Sequence, residues 1–130
     1  LAPVVGAQFG TGVAQRHAGI GPLAIAVESD GRVIASGGAN RGSLYRFEQD
    51  GGRVLNAFNT LSEPVFDLAY DRSGGLWATT GGGQLLRLDA ATGAILERFG
   101  DSLTQSLAVK PGTHQIYVST DDGTEIFDTV

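Results

Sequence analysis

The sequence has two histidines, the side chains that most often perform acid–base catalysis near neutral pH. His17 lies just before a run of strand-forming residues, and His114 lies in a turn formed by residues 112–115. No serine lies in a Gly-x-Ser-x-Gly elbow, so nothing here supports nucleophilic catalysis. We interpret His17 as an ordinary loop residue, with ligand binding as the alternative, and His114 as a turn residue.

Carboxylates are the second group that could do chemistry. We expect four of them in loops at one face of the fold: Glu63, Asp101, Asp121 and Asp122. If these loops converge, their oxygens could hold a hard cation such as Ca²⁺ or Mg²⁺. The alternative is that they keep turns soluble, the usual role of Asp in loops. Residues 121–123 lack the remaining ligands of an EF-hand loop, which excludes that kind of site.

The composition excludes several other function classes. There is no Cys, hence no disulfide, thiolate metal site or thiol nucleophile. A net charge of −5 without any basic cluster argues against a nucleic-acid partner, and no apolar run is long enough to span a bilayer. The glycines at 81–83 are not followed by the Lys-Ser/Thr of a phosphate-binding loop. An acidic, Cys-free, Gly-rich chain is compatible with a periplasmic or extracellular location.

An internal repeat shows which elements must position these side chains. Residues 23–36 align with residues 66–79 at a constant offset of 43, which places Ile25 on Leu68 and Gly31 on Gly74. The match resumes after a two-residue difference, since residues 52–58 align with residues 93–99. A third, incomplete copy follows, in which residues 107–109 align with residues 68–70 and residues 116–118 align with residues 76–78. A period of about 40–45 residues with four short strands is typical of a β-propeller blade.

Each repeat has strand-sized runs separated by Gly-containing turns, and no run has a capped helical period. Alternation in the first runs, as in Ile25/Val27 and Leu68/Tyr70, predicts one buried face. Trp77 and the tyrosines fall within strands, where we expect large rings to pack between blades. The fold class is therefore all-β, with about three four-stranded antiparallel blades and essentially no helix.

The two ends of the chain predict how the blades connect. Residues 3–10 resemble residues 94–100, the fourth strand of a blade, and the chain stops just after a third strand. We expect 1–20 to be an outer strand and lead-in, 21–61 and 62–102 to be blades, and 103–130 to be a partial blade that the N-terminal strand completes. Propellers need about four to eight blades, so either two chains close a six-bladed ring or further blades lie in a longer protein.

A blade consensus gives a resemblance to known families. Residues 71–83, D-R-S-G-G-L-W-A-T-T-G-G-G, resemble the D-x-x-G-x-L-W-x-x-T-x-x-G pattern of virginiamycin B lyase-like, NHL and two-component-regulator propellers. Residues 86–93 resemble the L-D-x-x-T-G turn of quinoprotein-type and related blades. Resemblance to the streptogramin lyases implies a catalytic His with a nearby Glu and Mg²⁺. No His–Glu pair in this sequence matches that pattern.

These observations favour a non-enzymatic propeller module that binds a small molecule or a protein. The alternative is a metal-dependent lyase or lactonase-like enzyme, since a fold does not determine a function. We expect ligand binding at loops of the upper face, the end where propellers usually bind ligands. The candidate residues there are His17, Asn40, Arg41, Glu63 and Gln105.

Overall fold

The computed structural model describes residues 3–130, so Leu1 and Ala2, at the start of the predicted lead-in, lie outside the described residues. In this range the regular secondary structure consists of strands, and no helix occurs. In chain order the strands are β1 (Gly10–Thr11), β2 (Pro22–Val27), β3 (Val33–Gly37), β4 (Asn40–Phe47), β5 (Gly52–Arg53), β6 (Asn59–Thr60), β7 (Asp67–Tyr70), β8 (Leu76–Thr79), β9 (Leu85–Leu88), β10 (Ile95–Phe99), β11 (Thr104–Val109), β12 (Gln115–Thr120) and β13 (Gly123–Asp128).

Three antiparallel sheets follow one another along the chain. The first blade has the order β2-β3-β4-β6, the second β7-β8-β9-β10, and the third has only β11-β12-β13. The innermost strands are neighbours, because β7 contacts both β2 and β11. The expectation of an all-β protein built of propeller blades is confirmed.

The first hairpin of the second blade shows how the sequence makes these turns. Gly74 adopts φ +84°, a conformation that favours glycine, and its N–H donates to the Asp71 carbonyl at 3.1 Å. The Asp71 carboxylate accepts the N–H groups of Ser73 and Gly75, both at 2.8 Å. It also accepts the Trp77 indole N–H at 2.8 Å, in a buried contact. One carboxylate therefore fixes both the turn and the ring that follows it.

The core of the described residues has one layer between each pair of consecutive blades and a smaller cluster of Val33, Ala35 and Phe47 on the front of the first blade. Each blade presents a rear face to the following blade and a front face to the preceding one. Between the first and second blades, Ile34 and Leu44 pack with Leu68, Leu76 and other apolar side chains of the second blade. Between the second and third blades, Trp77 and Leu85 pack with Ile116 and Val118. Trp77 therefore has the interblade position predicted for it.

The first innermost strand buries the opposite residues from those that alternation suggested. Ala24 and Ala26 are 2% and 6% exposed, whereas Ile25 and Val27 are 64% and 62% exposed. The two alanines lie on the rear face, against the second blade, and the two larger residues lie on the front face, where no blade precedes them. The expected burial of Ile25 and Val27 is wrong for this single chain because alternation identifies two faces but not which has a neighbour.

The N-terminal segment lies on the front of the first blade. Its strand β1 pairs in parallel with β5, Gly10 opposite Gly52 and Thr11 opposite Arg53. Residues 3–9 form no strand and are exposed. The third blade has three strands within the chain, so its completion by an N-terminal strand remains a prediction.

Candidate functional site

The upper face is the end of the blades where the lead-in meets the loops between second and third strands. There, the Ala39 N–H donates to the Ala14 carbonyl at 2.7 Å, and the Gly81 N–H donates to the Thr104 carbonyl at 2.6 Å. These bonds tie each loop to the segment that enters a neighbouring strand. Backbone hydrogen bonds thus fix the loops of this face, and side-chain contacts such as that of the Thr79 hydroxyl with the Gln105 carbonyl add to them.

Glu63 forms the strongest polar contact of this face. Its Oε1 lies 2.6 Å from Arg98 Nη1, and its Oε2 accepts the Ser62 hydroxyl at 2.7 Å. The hydrogen bond from Arg98, followed by that from Ser62, lowers the pKa of Glu63 below its usual value. The carboxyl is therefore a charged group held by a cation, unlike a general acid, which needs a raised pKa.

Arg41 and Asn40 lie at the same boundary between the first two blades. The Val65 N–H donates to the Arg41 carbonyl at 2.8 Å, and the Arg41 guanidinium lies 5.7 Å from the centre of the Phe66 ring. Asn40 Oδ1 accepts the Gly42 N–H at 3.2 Å. The structure thus brings Arg41 close to the segment of Glu63, with Arg98 as a second cation that sequence reasoning missed. Arg98 lies in β10 directly after Glu97, so its sequence position carried no signal of a contact with Glu63.

Gln105 lies in β11, at the boundary between the second and third blades. Its carbonyl accepts the Thr79 hydroxyl at 2.6 Å, and the residue is exposed. The structure gives Gln105 no contact with Arg41 or Glu63. A ligand that touches all the predicted residues would have to span two blade boundaries.

His17 lines a separate open cleft of about 810 Å³. Gln15, Arg16, Ala18, Ile20 and Ala39 are its other lining residues. A tight turn borders this cleft, and within it the Gly19 N–H donates to the Arg16 carbonyl at 2.8 Å. No Glu or Asp lines the cleft with His17, so nothing there would orient a general base.

The predicted metal carboxylates do not form one cluster. Within residues 3–130 no group of three or more His, Cys, Asp or Glu side chains is arranged to hold a metal ion. Glu63 is paired with Arg98, and Asp121 Oδ1 accepts the Leu103 N–H at 3.1 Å. Asp101 and Asp122 lie in exposed turns at the same end of the third blade. The donor set of this chain alone does not fit a cation.

A polar cluster at the opposite face joins the first two blades. Arg46 donates to the carbonyls of Ala90 and Ala91, and its guanidinium lies 4.2 Å from the centre of the Phe58 ring. Arg46 Nε also lies 3.3 Å from the carboxylate of Glu28, which follows β2 of the same blade.

The equivalent Arg87 forms a different contact, with Glu97 of its own sheet at 3.2 Å. The two arginines occupy equivalent strand positions but have different partners, because the next blade contributes carbonyl oxygens to Arg46 and none to Arg87 in these bonds.

Two apolar faces are left without a blade beside them. On the front of the first blade, Leu23, Ile25 and Val27 are 45%, 64% and 62% exposed. On the rear of the third blade, Ala108, Tyr117 and Ile126 are cross-strand neighbours, and Ile126 is 55% exposed. The N-terminal segment covers part of the first of these faces, where Val33 and Phe47 are buried, and the exposed apolar side chains that remain mark an interaction surface.

The fold and these open faces define a partial β-propeller. Its fold is shared with a gluconolactonase from Xanthomonas campestris (TM-score 0.67, 14% identity, 82% of this chain and 37% of that one). It is likewise shared with BamB from Moraxella catarrhalis (TM-score 0.63, 13% identity, 84% and 34%). A third similar structure is virginiamycin B lyase from Staphylococcus aureus (TM-score 0.52, 20% identity, 82% and 41%).

At these identities the likeness shows the fold alone, in line with the blade consensus seen in the sequence. The chain spans less than half the length of each of these three proteins. No protein-family model matches the sequence, and the comparison with curated proteins finds no relative. Within residues 3–130 there is no helix long and apolar enough to cross a bilayer.

Proposed function

We propose that the chain is a non-enzymatic β-propeller module for binding and interaction, completed into a ring by further blades. The observation that carries this proposal is the pair of uncovered apolar faces at its two ends. The missing blades come from a second copy of the chain or from the rest of a longer, exported protein. A closed ring would bury both faces, as the chain already buries the corresponding faces between its own blades.

The upper face is the proposed site for a small-molecule or protein ligand. The Glu63–Arg98 ion pair and the Arg41 guanidinium over the Phe66 ring are two charged contacts at this boundary, which suits a polar or ionic ligand. His17, Asn40 and Gln105 would contribute from the neighbouring loops. The described residues offer no general base with an orienting carboxylate, which favours binding over turnover.

A turnover assay tests this proposal against the enzyme alternative. Purified protein is incubated with a simple lactone and with a streptogramin B antibiotic, each with Mg²⁺ and with Ca²⁺. We expect no rate above that of the buffer. Turnover that disappears in His17→Ala but persists in His114→Ala would overturn the proposal and establish an enzyme of the lyase or lactonase kind.

A further inference from the structure

Equivalent positions in the three blades meet across the interfaces in a regular way. The rear faces carry Ile34, Trp77 and Tyr117 at one and the same position of the repeat. Ile34 packs against the front face of the second blade, and Trp77 packs against that of the third. Tyr117 has no blade to pack against in this chain and is half-buried.

The front face of the first blade has an open groove at the position where the other interfaces receive a rear-face side chain. This face and the N-terminal segment enclose the groove, whose volume is about 550 Å³. Apolar side chains form most of its walls: Phe9, Val13, Leu23, Ile25, Val33 and Phe47. By position in the repeat, Ile25 and Val33 correspond to Leu68 and Leu76, which receive Ile34 in the adjacent interface. The groove is therefore the place that a rear-face residue of a preceding blade would fill.

The N-terminal segment already lies where the outer strand of that preceding blade would be. The ring of Phe9 packs edge-on against Phe47, with centroids 6.1 Å apart. In the sequence repeat Phe9 corresponds to Phe99, and Phe99 shares a cluster with Phe127, the third-blade equivalent of Phe47. The N-terminal segment thus lies on the first blade as the fourth strand of a preceding blade would, and within residues 3–130 the third blade has three strands.

We propose that two copies of this chain associate head to tail, with Tyr117 of each copy inserted into the groove on the first blade of the other. Residues 5–9 of each copy then add to the free edge of β13 of the other as its fourth strand. This inference rests on the proposed function, in that it names the partner that completes the propeller.

A second copy fits because both halves of the missing interface are present on one chain. A head-to-tail contact uses two different surfaces and closes into a ring when the rotation between copies is right. Two copies would give six blades, within the usual range for propellers. Addition of an extended segment to an open sheet edge also satisfies the unpaired backbone groups of β13.

The repeat also gives the register of the added strand. Glu97 pairs with Arg87, and Arg87 pairs with Trp77. In the third blade the equivalent of Arg87 is Ile126, which pairs with Tyr117. Because Ala7 corresponds to Glu97, Ala7 of one copy should lie opposite Ile126 of the other.

Mass in solution tests the head-to-tail contact. We expect light scattering to give twice the 13.5 kDa of one chain. Ile25→Lys and Tyr117→Asp should each give monomers, because each variant damages both contacts of the ring. A mixture of the two variants should recover the dimer, since one contact is then unaltered and the other pairs opposite charges. Leu96→Asp, which changes an apolar residue that is 55% exposed on β10, is the control and should remain dimeric.

Disulfide trapping tests the register. The sequence has no Cys, so any disulfide of the double variant Ala7→Cys with Ile126→Cys joins two introduced thiols, and each single variant alone controls for bonds between like positions of the two copies. Under mild oxidation we expect a dimer on a non-reducing gel, lost on reduction. The control pair Ala7→Cys with Leu96→Cys should give at most a background of dimer.

The outcomes separate this inference from the proposed function. A monomer at all concentrations, or a cysteine pair that gives no dimer, would overturn the head-to-tail assembly and leave a module completed by other blades. Dimers of both Ile25→Lys and Tyr117→Asp would also overturn it. Turnover lost in His17→Ala would instead overturn the proposed function, whatever the mass of the protein.

Discussion

At the scale of single residues, a few polar side chains hold the blades in place. Asp71 is 9% exposed and accepts hydrogen bonds from two backbone N–H groups and from Trp77. A buried donor that loses its acceptor pays the full cost of desolvation, more than the net gain from the bond. The stability of the second blade should therefore depend strongly on this one carboxylate.

We predict that Asp71→Ala lowers the free energy of unfolding by about 2–4 kcal/mol, because it leaves the buried Trp77 indole N–H unpaired and removes two hydrogen bonds of the turn. Urea denaturation of the purified variants measures this. Asp122→Ala, in an exposed turn, is the control and should change stability by less than about 0.5 kcal/mol. Equal effects of the two substitutions would contradict the role given to Asp71.

Tyr70 should make the free energy of unfolding depend on pH, in a direction that its surroundings determine. Burial, and then the charge of Glu28, which accepts the Tyr70 hydroxyl at 3.1 Å, raise the pKa of Tyr70 above its usual 10.0. Above about pH 10 the unfolded chain therefore loses this proton before the folded chain does, and stability falls as pH rises. Below that pH the contribution of Tyr70 does not vary with pH.

We predict that the wild type loses more stability between pH 9 and pH 11 than Tyr70→Phe does. The variant should itself be less stable at pH 9 by about 1 kcal/mol, through loss of the hydrogen bond to Glu28. Urea midpoints at both pH values measure the difference. Parallel losses in the two proteins would show that Tyr70 is not the group responsible.

At the scale of elements, the N-terminal segment is held by a short contact with the first blade. The Gly52 N–H donates to the Phe9 carbonyl at 3.0 Å, and the Val54 N–H donates to the Thr11 carbonyl at 2.9 Å. Gly12 adopts φ +103°, and a Cβ there would collide with the Val54 carbonyl oxygen. The contact thus depends on a glycine at this position.

We predict that Gly12→Ala detaches the segment and accelerates amide hydrogen exchange at Gly52 and Val54 by at least about tenfold, since a local opening then costs less. The amide of Ile34, in the centre of the same blade, should exchange as before. Gly6→Ala is the matched control, because a Cβ at Gly6 meets nothing within 4 Å. Unchanged exchange at Val54 in Gly12→Ala would contradict this account.

The repeat also shows which elements sequence reasoning can and cannot place. Alternation and Gly-containing turns predicted the strands, the blades and the interblade position of Trp77, because these follow from local pattern. The burial of Ala24 and the exposure of Ile25 depend on which face of the first blade has a neighbouring blade. A local sequence pattern does not indicate which face that is. The pairing of Glu63 with Arg98 was missed for a similar reason, since it joins a loop to the outer strand β10, which only the arrangement of the blades brings together.

At the scale of the whole molecule, stability and association should be linked. If two copies bury each other's open faces, folding and assembly occur together, and mass action favours the folded state at high concentration. A monomer has no such dependence. The thermal midpoint is therefore a second measure of the assembly.

We predict that the Tm rises by about 3 °C for each tenfold increase in chain concentration, because tenfold in concentration is worth about 1.4 kcal/mol. Ile25→Lys should remove the dependence, whereas Leu96→Asp should retain it. Scans over a hundredfold range of concentration measure the slope. A constant Tm in the wild type would show that the folded chain does not assemble.

The single tryptophan makes one of the two interior interfaces visible to spectroscopy. Trp77 is 3% exposed, lies between the second and third blades, and has its ring 5.3 Å from that of Phe99. Its fluorescence emission should therefore change when these two blades separate. It should not respond to changes at the front of the first blade or at the rear of the third. Stopped-flow fluorescence would time the parting of one blade pair within the chain, and light scattering would time the parting of the two copies. A comparison of the two rates would show whether the contacts between copies break before or after the contact between the second and third blades within each chain.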